Sequence, residues 1–203
     1  MNNTNYTRVA VVSGGTGYLG SAIARALAEQ GMSVALLYNT TLPEEVRAIR
    51  ASLPGNSHNA YRCDVSNGEE VQKTIELVEK EMGGVFACVH SAGTSPQRKT
   101  LLNSSSREIE EAFTVHGIGG FNFLSVCAKT LQAHKRGVLI GITTAGVVLP
   151  EATHSLGGYI PAKYALQGML TMLKEELRGS HVRVYSVAPG FMEGGMNKDI
   201  PKA

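Results

Sequence analysis

Tyr159 and Lys163 stand four positions apart in GGYIPAKYALQGM, residues 157–169, a stretch that otherwise reads as a buried helix. Residues at i and i+4 share a helical face, with Cβ atoms about 6 Å apart. A free tyrosine has a pKa of about 10. A neighbouring ammonium favours the phenolate and lowers that value. A phenol tuned in this way can exchange a proton near neutral pH, as a general acid or base must. Pro161 is compatible with the helix if Tyr159 lies in its first turn, where no N–H partner is lost. The competing reading is a pair that only decorates the surface.

A second motif lies far upstream. In SGGTGYLG, residues 13–20, Gly15, Gly17 and Gly20 satisfy G-x-G-x-x-G. The motif follows an apolar run and opens a helical pattern, the context that gives it meaning. Glycines there allow a tight turn and let backbone N–H groups approach a pyrophosphate at a helix N-terminus. The dinucleotide fingerprint also expects an acid about twenty residues on, to bind a ribose 2′-hydroxyl. That place holds Tyr38, Asn39 and Thr40, with neither a carboxylate nor an arginine. The lack of a carboxylate favours NADP(H) over NAD(H). Asp64 has two readings: an adenine contact, or a helix-entry residue beside Ser66.

The elements that must position these residues alternate. RVAVVSGG, SVALLY, NAYRCDV, GVFACVHSAG, GVLIGITT and VRVYSVAPG read as six buried strands. Between them run helical patterns: Gly17 to Gln30 ending at Gly31, one opening at Pro43, and one from a Ser66–Glu69 capping box to Met82. Two more cover 104–114 and 117–134, and the last carries Tyr159 and Lys163 to about Arg178. Continuous apolar strands alternating with helices imply an α/β fold with a parallel sheet covered on both faces. With no repeat, no low-complexity segment and no dividing linker, the 203 residues are expected to form a single domain, 1–203. The polar stretch 94–106 reads as a surface loop.

Bulk properties exclude several classes. A net charge of +2 without a basic run argues against nucleic-acid and membrane-surface partners. No apolar run is long enough to span a bilayer, and MNNTNYTR lacks the apolar stretch of a secretion signal. Cys63, Cys88 and Cys127 have the spacing of neither a metal site nor a disulfide framework. They are expected to be reduced and buried, in a cytoplasmic protein.

Taken in order, the motifs resemble the short-chain dehydrogenase/reductase family from Arg8 to Met196, most closely its reductases of 3-oxoacyl thioesters and related carbonyl compounds. The resemblance implies a doubly wound, Rossmann-like sheet of order 3-2-1-4-5-6. It implies a cofactor loop at Gly14, Thr16, Gly17, Tyr18, Leu19 and Gly20, with Asn39 at the ribose. Asp64 and Val65 of CDV match the adenine turn, and Ser91, Ala92 and Gly93 of HSAG stand in the family's N-N-A-G turn. Pro189 and Gly190 match the turn before the nicotinamide. Tyr159 would be the acid, and Lys163 would hold the nicotinamide ribose as well as tune the phenol.

Thr144 falls where the family has a substrate-orienting serine, with Thr143 as the neighbouring alternative. His116 falls where an asparagine anchors a proton-relay water; it is read either as returning the proton or as a capping or core residue. The expected reaction is hydride transfer between NADP(H) and a carbonyl or secondary alcohol, in a homodimer or homotetramer joined through helices 117–134 and 158–178.

Three departures are visible. Tyr18 replaces a glycine, GGTGYLG and VHSAG are similar to the longer epimerase-like branch, and the sequence stops at Ala203. The short spacing from Tyr159 to APG argues against that branch. A chain ending at Ala203 would lack part of the pocket and leave one sheet edge exposed; either the sequence is incomplete or the protein manages without those parts. These departures keep open a second reading, a non-catalytic dinucleotide-binding regulatory or scaffold protein.

Overall fold

The structure is a computed structural model and describes residues 8–55, 57–149 and 155–197. The polar N-terminal residues 1–7 and residues 150–154 of the pocket loop lie outside the described residues.

Six strands form one sheet: β1 (Val9–Ser13), β2 (Ser33–Tyr38), β3 (Asn59–Arg62), β4 (Val85–His90), β5 (Gly137–Ile142) and β6 (Val182–Val187). All pairs are parallel and the order is β3-β2-β1-β4-β5-β6, as the motifs implied. Every residue of β1, VAVVS, is buried, which explains why the run is apolar throughout instead of alternating. β1 pairs with β2 on one side and β4 on the other, so the order reverses there. Such a reversal leaves a crevice at the carboxyl ends of the strands.

Helices cover both faces. α1 (Tyr18–Glu29) and α2 (Pro43–Ala51) lie on one, where Ala24 and Ala28 pack on Val12, Leu36 and Val89. α3 (Gly68–Met82), α5 (Gly119–Ala133) and α6 (Tyr159–Glu176) lie on the other, in a larger core around Ile75, Phe123, Leu131 and Leu166. Among the described residues no helix is long and apolar enough to cross a membrane, and no group of three metal-binding side chains exists. The cysteines are free and buried, and Cys88 and Cys127 meet within hydrogen-bonding reach.

Two local expectations are corrected. The cap of α3 is Asn67, whose side chain accepts from the N–H groups of Glu69 and Glu70 at 3.1 and 3.2 Å. Ser66 is diverted, because its hydroxyl donates to the nearby Asp64 carboxylate at 2.7 Å, a stronger acceptor. A serine–glutamate capping box does occur, at Ser105 and Glu108 of α4 (Ser106–Ala112). Nor do helices 104–114 and 117–134 stand apart. α4 runs into a widened π-type turn, Phe113–Ile118, and then into α5. Gly117 and Gly119 allow this close approach: a Cβ at Gly119 would fall 2.7 Å from a Val65 methyl. π-type turns are frequent at functional sites, and this one contains His116.

Candidate active site

The glycine loop comes first, since its form follows from sterics. Gly14 has φ +63°, and a Cβ there would fall 2.7 Å from the Ala92 Cα. A Cβ at Gly20 would fall 2.0 Å from the Gly14 carbonyl oxygen. The Gly17 N–H closes the turn on that oxygen at 2.9 Å. α1 then starts with no side-chain cap and no acid in its first turn. An uncapped helix start leaves N–H groups without partners and a positive dipole end in the cleft. These residues therefore fit the pyrophosphate of a dinucleotide. Behind the loop, the Ser13 hydroxyl accepts from the N–H groups of Ser91 and Ala92 at 3.2 and 3.3 Å. It also meets His90 Nδ1 at 2.9 Å, tying the two turns together.

A cleft of about 650 Å³ crosses the carboxyl ends of the strands. It is lined by Gly14, Thr16, Gly17, Tyr18, Leu19 and Gly20, by Asn39, Asp64 and Val65, and by Ser91, Ala92 and Gly93. Thr144, Tyr159, Lys163, Pro189 and Gly190 line it too. Asp64 is held below the usual carboxylate range, first by the Ser66 hydroxyl. It organises the entry to α3 while still lining the cleft, so neither of its two readings excludes the other. Beside the end of β2 lies an arginine that does not itself line the cleft. Arg62 Nε donates to the Asn39 carbonyl at 3.4 Å. Arg62 was not legible there because it lies on β3, opposite Tyr38 in the β2–β3 register.

Tyr159 opens α6 and Pro161 sits in its first turn, where proline is tolerated. The Tyr159 phenol is pushed up, not down: burial dominates, and a hydrogen bond with Thr144 and the charge of Arg98 oppose it. This overturns the expectation that Lys163 loosens that proton. Lys163 is 4% exposed. Its Nζ donates to the Ile142 carbonyl at 2.8 Å and lies 5.7 Å from the centre of the Tyr159 ring. Desolvation lowers Lys163 to about 8. Of the two threonines, Thr144 faces the phenol. Thr143 is buried and its hydroxyl binds Ser186 Oγ and the Val187 carbonyl, both at 3.2 Å.

His116 does not line the cleft. It stands behind Tyr159, edge-on to its ring, with centroids 5.0 Å apart. Its Nε2 meets the N–H or the carbonyl of Thr94, according to tautomer, and its Nδ1 is buried without a partner. The ring fills the space beside Gly93, where a Cβ would fall 2.5 Å from His116 Cε1.

Known proteins share this frame. A family model described as enoyl-(acyl carrier protein) reductase matches residues 17–203. Carbonyl reductase family member 4 of Danio rerio is 30% identical over 194 residues, 96% of this chain and 79% of that protein. A metagenomic short-chain oxidoreductase solved with NADP superposes with a TM-score of 0.81 at 28% identity, over 92% of this chain and 83% of that one. The chain belongs to the short-chain dehydrogenase/reductase family. An NAD+-bound xylitol dehydrogenase superposes with a TM-score of 0.86 at 25% identity over 95% of this chain and 74% of that one. As a short-chain dehydrogenase/reductase, the protein is an NAD(P)-dependent oxidoreductase.

Within this short-chain dehydrogenase/reductase, Tyr18 acts as a latch. Its hydroxyl donates to the Glu193 carbonyl at 2.8 Å. Its ring packs under Gly194 and Gly195, where added Cβ atoms would fall 3.0 and 2.9 Å from it. Residues 191–197 are thereby strapped to the glycine loop. Tyr18→Phe should raise hydrogen exchange of the amides in 191–197 about fivefold, as expected for the loss of roughly 1 kcal/mol, and leave β1 unchanged. Equal exchange in both proteins would show that the hydroxyl holds nothing.

His90 and His116 should make this family member less stable in acid. Burial, reinforced by the Lys163 charge, lowers both to about 3. Their ordinary value is about 6.5, so an unfolded chain binds protons that the folded one refuses. Stability from these residues is complete above about pH 6.5 and is lost as pH falls towards 3, by about 1.4 kcal/mol per pH unit for each histidine. Urea midpoints measured from pH 7 to 4 should fall accordingly. In His116→Asn the slope should lose one proton.

Proposed function

We propose that the protein is an NADP(H)-dependent reductase of carbonyl compounds, with 3-oxoacyl thioesters as its model substrates. One observation carries this reading: the Thr144–Tyr159 hydroxyl pair and Lys163 open on the same cleft as the uncapped start of α1. The preference for NADP(H) is supported by the lack of a carboxylate at the end of β2 and by Arg62 beside Asn39.

When bound, the nicotinamide cofactor supplies or accepts the hydride. The protein does the rest. The first turn of α1 and the Gly14–Gly20 loop hold the dinucleotide, and Lys163, buried and fixed on the Ile142 carbonyl, presents its remaining hydrogens to the ribose side. Thr144 orients the substrate oxygen. Tyr159 donates its proton to that oxygen, and a raised phenol suits the role because it stays protonated at neutral pH. His116, outside the cleft and edge-on to the Tyr159 ring, holds the phenol in place in this reading and does not carry the proton.

Two different groups then shape the alkaline side of the pH profile. Lys163 loses its charge as pH rises past about 8, so kcat/KM for reduction should fall there through weaker dinucleotide binding. Tyr159 deprotonates only above its ordinary value of about 10, so kcat itself should hold to higher pH. Initial rates from pH 6 to 10.5 check the order; a kcat that falls with kcat/KM at pH 8 would reverse it.

The direct test follows NADPH absorbance with acetoacetyl thioesters and small diketones; turnover supports the reading and silence on all of them opposes it. A second reading, a dinucleotide-binding regulatory or scaffold protein without catalysis, is favoured by the seclusion of His116 from the cleft. It predicts NADPH binding by calorimetry with no turnover. Exposed Phe121, Tyr164 and Met172 support a homodimer or homotetramer through α5 and α6. Three free thiols support a cytoplasmic setting.

A further inference from the structure

The reaction end of the cleft carries a cation that no described carboxylate compensates. Among the described lining residues the charged side chains are Asp64, Arg98 and Lys163. Asp64 lies at the end of β3, on the adenine side, and Lys163 is buried against the Ile142 carbonyl. Arg98 is exposed in the segment after β4 and close enough to Tyr159 for its charge to act on the phenol.

Its partners among the described residues are neutral. Nη2 donates to Asn197 Oδ1 at 2.6 Å and reaches the Met196 carbonyl at 3.4 Å. Among the described residues no carboxylate pairs with it, and Nε and Nη1 have no acceptor. The same cleft is lined by apolar Pro96, Leu156, Phe191, Met192 and Met196, alongside polar Thr94, Ser95 and Asn197. A guanidinium with free N–H groups beside low-dielectric walls is a fork for an oxyanion, and Arg binds carboxylate and phosphate bidentately.

Resting on the carbonyl-reductase reading, we propose that Arg98 anchors an anionic group on the substrate, so that the preferred substrates are carbonyl compounds carrying a carboxylate or phosphate separated from the carbonyl by an apolar spacer. The anion binds the free edge of Arg98, the spacer lies against Leu156 and Phe191, and the carbonyl reaches Thr144 and Tyr159. A neutral ester of the same length fills the same space but leaves the guanidinium without its counter-charge.

The test compares 3-oxobutanoate, 4-oxopentanoate and 5-oxohexanoate with their methyl esters, and acetoacetyl-CoA with its phosphate-free N-acetylcysteamine thioester. Each is run with wild type and Arg98→Gln, with butanedione as the uncharged reference. Within one pair the anionic member should exceed the neutral one at least tenfold in kcat/KM, carried mainly by KM and shrinking with added salt. Arg98→Gln should bring the two members of each pair within about threefold of each other, and its loss on butanedione, which reports the effect of the missing charge on Tyr159 alone, should be much smaller than its loss on the anionic members. A preference among the oxo acids identifies a carboxylate, and one confined to the CoA pair identifies phosphate.

Neutral members equal to or better than anionic ones in every pair would overturn the proposal. So would an Arg98→Gln variant that loses anionic, neutral and butanedione turnover alike, since Arg98 would then only be holding residues 196–197. Calorimetry of the same ligands on NADPH-loaded protein reads the anion site without turnover. If no carbonyl is reduced, the reductase reading fails; an Arg98-dependent preference for the anionic ligand in binding then still supports the anion site, and its absence overturns that site as well.

Discussion

Tyr159→Phe is expected to lower kcat for carbonyl reduction by about a hundred- to ten-thousand-fold, the range in which a positioned general acid contributes, with NADPH affinity changed less than about threefold. The substitution removes one oxygen from a side chain whose ring is held by α6 and lies edge-on to His116. Ring packing survives, so the loss reports on the proton and not on the fold. The Thr144 hydroxyl loses its partner but keeps its place at the end of β5. Steady-state rates and calorimetry on the two proteins separate the effects. A phenylalanine variant with full turnover would mean that another group supplies the proton.

Gly20→Ala carries the second large effect. The Cβ it adds would fall 2.0 Å from the Gly14 carbonyl oxygen, a backbone atom that no rotamer change can move. The loop must shift away from α1, and overpacking of this kind costs about 3 kcal/mol. The same shift disorganises the uncapped N–H groups of α1, so NADPH binding should weaken at least a hundredfold. Gly17→Ala is the control. Its Cβ would meet only the Gly14 oxygen, at 3.2 Å, so stability should change by less than about 1 kcal/mol, while binding still falls because the added methyl lies on the cleft loop. Urea melts and calorimetry on both variants check the contrast. Equal stability loss in the two would contradict the steric account.

The sheet was legible because its inner strands are buried on both faces and so appear as apolar runs; VAVVS and SVALLY admit little else, whereas the edge strands β3 and β6, expected to be buried, carry exposed residues because no strand covers their outer side. Helix boundaries were legible where a residue has a single use, as with Pro43 at the start of α2. They failed where side chains compete for a partner. Ser66 and Asn67 both suit an N-cap, and only the position of Asp64 decides between them. The widened turn at 113–118 was hidden for a different reason, since apolar periodicity does not register one extra residue in a helix whose two halves both pack on the core.

At the site, residues carried by one local motif were legible, as at Gly14–Gly20 and Tyr159–Lys163. Those assembled across strands were not. Arg62 reaches Asn39 from β3, Arg98 reaches Asn197 from the segment after β4, and His90 reaches Ser13 from β4 to β1. The direction of the Tyr159 shift was missed for a related reason. Spacing along a helix reveals a neighbouring ammonium but not the desolvation of both groups, and here desolvation is the larger effect.

The most direct measurement uses NADPH deuterated at C4 of the nicotinamide, each C4 epimer in turn, in a single turnover of a diketone by the wild-type protein, with the product read by mass spectrometry. One of the two epimers should deliver one deuterium to the carbinol carbon, and Tyr159→Phe should deliver none above background on the same timescale. Alcohol product carrying no deuterium from either epimer, or labelled product formed as fast by the phenylalanine variant, would contradict the account.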